Sequence, residues 1–221
     1  MATHLDLEEQ EQLDQIKHFW SRYGNAITWL LILVLAGFAG WNGWQYWQRS
    51  QAAQASALYD EVERAANAGD TTRLERAFAD IKDKYASTIY AQQAGLLAGK
   101  GLQDKGNTDA AKAALGWVAD KASDPGYQSL ARLRLAGIAL DAKAYDDALK
   151  QLAGSFPGEF DALAADRRGD VFSAQDKKAE ALAEYRKAYA GMDARSEYRR
   201  MVEVKLNALG VDPTVAAEVK K

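Results

Sequence analysis

Residues 23–48 carry no formal charge; Arg22 and Arg49 bound them. As a helix rising about 1.5 Å per residue, that stretch spans roughly 39 Å, enough to cross a hydrocarbon core of about 30 Å. The densest apolar run is 27–39. Five of the six tryptophans surround it, Trp20 and Trp29 toward one end and Trp41, Trp44 and Trp47 toward the other. With Phe19, Tyr23 and Tyr46 they make two aromatic clusters, placed where amphipathic rings meet the membrane–water boundary. A buried helix of a soluble protein could be as apolar, but seldom brackets itself with indoles. A cleaved signal peptide needs a short basic start, whereas Asp6, Glu8, Glu9, Glu11 and Asp14 precede this stretch. The cleavage-like triplets Ala53-Gln54-Ala55 and Ala55-Ser56-Ala57 lie too far past the apolar run. The expectation is an uncleaved signal anchor over 23–48, preceded by an acidic segment, 1–22. Ala36 and Gly40, then Ala39 and Gly43, stand four apart with Gly37 nearby, a spacing that lets a second membrane helix approach closely. Gly and Ala are also common in membrane helices generally. Orientation is a tie on charge: Lys17 and Arg22 precede the span, Arg49 and Arg64 follow it.

The remainder, 49–221, has the composition of helices. Ala, Leu, Glu, Lys, Arg and Gln dominate, proline occurs only at 125, 157 and 213, and β-branched runs are absent. Turn signals recur at Ala68-Gly69-Asp70, Lys105-Gly106-Asn107, Lys143-Ala144-Tyr145 and Gln175-Asp176-Lys177. Taking Leu74, Ala111, Ala148 and Ala181 as equivalent gives spacings of 37, 37 and 33 residues. Periods near 34 mark a helix–turn–helix repeat array. The fourth unit is clearest, with Gly169, Phe172, Ala181, Tyr185 and Ala188 at the small and aromatic positions of a tetratricopeptide repeat. The third offers Ala136 and the run 144–149, closed by Pro157. The second offers Gly99, Leu102, Gly106, Ala111 and Leu115, and the first, with Leu74 and Phe78, is degenerate. The early Trp of that repeat is missing throughout. The predicted fold is all-α: one transmembrane helix, then a repeat-like solenoid of about four hairpins over 49–210. A capping helix over 196–209 stops at Gly210, and 211–221 form a tail.

This layout resembles the YfgM-like ancillary SecYEG translocon subunits, including residues 18–25 before the span and 41–48 after it. The resemblance implies a cytoplasmic N-terminus and a periplasmic repeat domain in the bacterial inner membrane. It also implies the SecYEG channel and the membrane-anchored periplasmic chaperone PpiD as partners.

Chemistry is hard to place in this chain. Zero Cys excludes disulfides, thiolate nucleophiles and Cys-ligated metals, and both histidines, His4 and His18, precede the span. Five acidic and two basic side chains precede residue 49, so the net charge of −3 is carried there and the rest is neutral. Such a body makes no electrostatic case for nucleic acid. The glycines 95, 99 and 101 around Lys100 only faintly echo a phosphate loop: three residues separate the first two where four are needed, and Gly101 replaces the Ser or Thr. Helix packing explains them better. Asp166 and Asp170, one turn apart, lack converging polar groups for acid–base work. Arg195, Arg199, Arg200 and Lys205 form a basic stripe that suits an acidic partner or lipid headgroups. No enzyme activity, cofactor or small-molecule substrate is expected. A tethered interaction module is favoured over an assembly factor for another envelope complex or an unrecognised membrane-anchored enzyme. Its partner groove is expected on the first helix of each hairpin: Tyr59 and Glu63; Gln93, Leu96, Lys100 and Gln103; Leu133; Asp166, Asp170 and Ser173.

Overall fold

The computed structural model describes residues 7–213. The acidic segment and the tail therefore lie partly outside the described residues. The described residues contain nine helices and no strand: α1 (Leu7–Ala68), α2 (Thr71–Tyr85), α3 (Ile89–Asp104), α4 (Thr108–Lys121), α5 (Pro125–Asp141), α6 (Tyr145–Gln151), α7 (Gly158–Ala174), α8 (Lys178–Gly191) and α9 (Glu197–Ala208). The chain divides into two compact units, Met1–Gln51 and Ala52–Lys221.

In the first unit the side chains of the apolar run are exposed among the described residues. Trp29, Leu30, Leu33, Leu35 and Phe38 are each at least 60% exposed, which removes the buried-core reading of this helix. A helix apolar on every side suits lipid, not water. Two of its polar side chains bond to the helix itself: Thr28 Oγ1 donates to the Gly24 carbonyl and Asn42 Nδ2 to the Phe38 carbonyl, each at 2.8 Å. Such back-bonding is what a lipid-embedded segment requires.

The second unit is built from one turn used four times. Gly69, Gly106, Lys143 and Asp176 adopt left-handed backbone, with φ of 67°, 78°, 58° and 58°. The next residue's N–H then reaches back to the carbonyl five positions earlier: Asp70 to Ala65, Asn107 to Leu102, Ala144 to Ala139 and Lys177 to Phe172, at 2.8–3.1 Å. This closes each first helix and starts the second. Gly210 (φ 81°) ends α9 in the same way, with Val211 N–H on the Leu206 carbonyl. The turn residues carry the spacing of 37, 37 and 33 read above, and Leu74, Ala111, Ala148 and Ala181 each lie five further on, fully buried. Between hairpins, side chains cap the next helix. Thr88 Oγ1 accepts from Ala91 N–H, and Asp124 Oδ1 accepts from Gly126 N–H ahead of a helix that begins with Pro125.

In the second and fourth hairpins, helix pairing follows from a glycine seven before the turn and a large residue nine after it. Gly99 meets Leu115, and Gly169 meets the Tyr185 ring; a Cβ at either glycine would come within 2.5 Å of its neighbour. The neighbour of Gly169 across the hairpin is Tyr185, one turn on from Ala181, and its ring fills the space above the glycine. Gly95 likewise accommodates Val118 and the Phe78 ring, so these α3 glycines are packing residues and not a phosphate cradle. The core runs along the array as three successive clusters, over α1–α5, α5–α7 and α7–α9. Neighbour-to-neighbour burial of this kind is how a solenoid is stabilised. Ala181, fully buried with Tyr185 and Ala188, leaves no room for growth. Ala181→Leu is expected to destabilise the domain by about 1–3 kcal/mol, measured as a lower urea midpoint with helicity retained.

Candidate partner-binding groove

The first helix of each hairpin and α9 form one series: the end of α1, then α3, α5, α7 and α9. Tyr59, Leu96, Leu133 and Asp166 all stand ten residues before a turn, at the seam with the next first helix. The Tyr59 ring lies 6.1 Å from the Tyr90 ring, half-buried. Burial raises the Tyr59 pKa, with the Glu63 carboxylate adding to it. Leu96 is buried, and its carbonyl accepts from Arg134 Nη1 at 2.7 Å. Leu133 is buried in the middle cluster. Both leucines are packing residues where open surface was expected, because neighbouring first helices close over that position.

Asp166 departs furthest from the expectation. Only 1% exposed, it accepts from Lys205 Nζ at 2.7 Å and from Tyr198 Oη at 2.7 Å, both on α9. Asp170 binds the same Lys205 Nζ at 2.7 Å and accepts from Tyr185 Oη at 2.8 Å. The two carboxylates therefore hold the capping helix and are not open to a partner. Two of the basic residues on α9 are engaged internally, Lys205 by these carboxylates and Arg199 by the Tyr189 ring and carbonyl, while Arg195, ahead of the helix, pairs with Asp193 at the surface. Burial, then the bond to Asp166, pushes the Tyr198 phenol up to about 12.

The remaining predicted residues face outward or half-outward. Glu63 and Ser173 are exposed, Gln93 Nε2 donates to Tyr127 Oη at 2.8 Å, and Lys100 pairs with Asp104 at 2.5 Å. Lys100 and Gln103 border a cavity of about 360 Å³ between α3, α5 and α7, walled also by Gly99, Arg134, Gly137 and Arg167. Ala36, Gly37, Ala39, Gly40 and Gly43 lie on the exposed part of α1, with open space beside all three glycines. Among the described residues no group of three or more His, Cys, Asp or Glu could hold a metal.

Residues 17–211 match the tetratricopeptide repeat-like domain family. A protein of Neisseria gonorrhoeae described as "Ancillary SecYEG translocon subunit" is 35% identical over 95% of this chain and 100% of its own length. A Haemophilus influenzae protein with the same description is 28% identical over 92% of this chain and 98% of its own. The chain belongs to the tetratricopeptide repeat-like family of ancillary SecYEG translocon subunits. Among the described residues one helix is long and apolar enough to span a bilayer, and with the translocon-subunit relation this makes the chain membrane-anchored.

Four further residues of the candidate groove were not singled out by sequence reasoning. Tyr90 and Tyr127 are 37 apart and Arg134 and Arg167 are 33 apart, the same intervals as the turns that follow them. Repeat-column alignment, applied to polar and aromatic positions as well as small ones, is the signal that finds them.

Two predictions follow from the α7–α9 contacts. Lys205→Met should cost about 3–5 kcal/mol, because it leaves the buried Asp166 charge without its cation; adding Asp166→Asn should recover part of the loss in a double-mutant cycle. Glu184 supplies a pH dependence. Burial works to raise its carboxyl pKa, but bonds from Lys187 and Arg168 outweigh it and hold the pKa below the ordinary 4.5. A lowered folded pKa gives stability that is present above the unfolded value and lost as pH falls through the folded one. The destabilisation caused by Glu184→Gln should thus stay constant above about pH 5 and shrink in more acid buffers, read by urea unfolding.

Proposed function

We propose that this chain is a membrane-tethered protein-interaction subunit of the Sec translocon. The observation that carries the reading is the full-length match to the Neisseria relative, whose description names SecYEG. In this reading 1–22 are cytoplasmic, 23–48 are the signal anchor, 49–210 are a periplasmic repeat domain and 211–221 a tail. The domain links the channel to PpiD and to emerging client chains. A repeat array suits that task because neighbouring first helices present one continuous surface, and a tether raises its effective concentration beside a membrane complex. The role is non-enzymatic, as the description of the relatives as translocon subunits with a repeat domain suggests.

Tagged full-length protein, solubilised in mild detergent, should co-purify SecYEG and PpiD. Protease added to spheroplasts should digest the protein beyond residue 49, while carbonate leaves it in the membrane. Recovery without SecYEG overturns the translocon reading, and a protected repeat domain reverses the orientation.

A further inference from the structure

The 360 Å³ cavity between α3, α5 and α7 has three cations and two carboxylates on its wall: Lys100, Arg134 and Arg167 with Asp104 and Asp141. Two of the cations have a carboxylate of their own. Lys100 meets Asp104 at 2.5 Å, and Arg167 reaches Asp170 at 3.6 Å. Arg134 differs. Its guanidinium is half-buried and donates to the Leu96 carbonyl, and among the described residues it has no carboxylate within ion-pair distance. Burial lowers its pKa, and the more distant Asp104 only partly offsets this. A guanidinium drawn partly out of water with no carboxylate in contact attracts an anion that can reach it, and its planar fork matches a carboxylate.

Two neighbours suit a polypeptide. Gly137, on the same wall, has nothing within 4 Å of where a Cβ would stand, which leaves space for a backbone to approach. Gln103 Oε1 is buried without a hydrogen-bond partner, an acceptor that a small shift could offer to a peptide N–H. Aromatic groups continue the first-helix series toward α1, where the Tyr59 and Tyr90 rings stand 6.1 Å apart. A segment lying along this series passes the cavity in mid-chain, so the group it presents there is a side chain.

We propose that this cavity binds the carboxylate of an internal Asp or Glu of a partner polypeptide, with Arg134 as the anchoring cation. The proposal rests on reading the chain as an interaction subunit, and names what its groove recognises.

Full-length protein in detergent is titrated against fluorescein-labelled nine-residue Ala/Ser peptides, followed by fluorescence anisotropy. One peptide is capped at both ends with a central Glu, the second has Gln there, and the third has Gln and a free C-terminal carboxylate. The Glu peptide is expected to bind about tenfold tighter than the Gln peptide, the size of a charge-assisted hydrogen bond. Arg134→Met should bring the ratio to one with helicity unchanged, and Arg134→Lys should keep part of it. Should Arg134→Met unfold, the ratio in the parent and its decline with added salt decide the matter. Equal binding of the Glu and Gln peptides overturns the proposal, as does tightest binding of the free-end peptide. SecYEG co-purification is scored on the same preparation. Co-purification without a Glu preference removes the cavity assignment alone, whereas a Glu preference without co-purification removes the translocon reading alone.

Discussion

Everything in the repeat domain depends on how closely two antiparallel helices approach. No disulfide can brace them, since the chain has no Cys, and among the described residues no strand ladder ties them together. What remains is side-chain interlock. Gly99 beneath Leu115 and Gly169 beneath Tyr185 bring helix backbones near enough for a large side chain to contact its neighbour on every side. The left-handed turn sets the phase of that interlock. It places the glycine seven residues before and the large side chain nine after, so the same geometry recurs in the second and fourth hairpins.

A stack of such hairpins ends with an unpaired face, and α9 meets it with polar chemistry. Lys205 and Tyr198 converge on Asp166, while Lys205 also takes Asp170, so charges that would be costly alone are satisfied together. Val202 and Leu206 on the same helix pack into the last core cluster. The cap thus combines apolar burial with a bonded network. Apolar burial supplies attraction, and the network selects which helix face docks, since a rotated α9 would strand two carboxylates.

The groove is a by-product of the same regularity. Positions that recur at the seam of successive first helices are buried when apolar, as at Leu96 and Leu133. The next column stays partly accessible and carries Arg134 and Arg167, which share a cavity wall with Lys100 and the small Gly137. A surface of this kind holds an extended polypeptide through shape and a few placed charges. The family relation to translocon subunits fits that form of recognition.

The apolar span, the helical composition, the four turns and the capping helix were all legible in the sequence. Each is written locally, in uncharged length, in residues that tolerate left-handed backbone, and in small residues at a fixed period. Gly69, Gly106 and Gly210 announce their turns; Lys143 and Asp176 do so only through the period, since neither is glycine. Side-chain direction was not legible. Asp166 and Tyr59 occupy the same column, yet one is sealed beneath α9 and the other is half-open against Tyr90. That difference comes from Lys205, 39 residues away from Asp166 in the chain. A helix wheel ranks faces by composition, but whether a polar face meets solvent or another helix depends on which element the tertiary fold brings alongside. Only packing could decide that the acidic pair secures the cap and that Arg134 is left without a carboxylate partner.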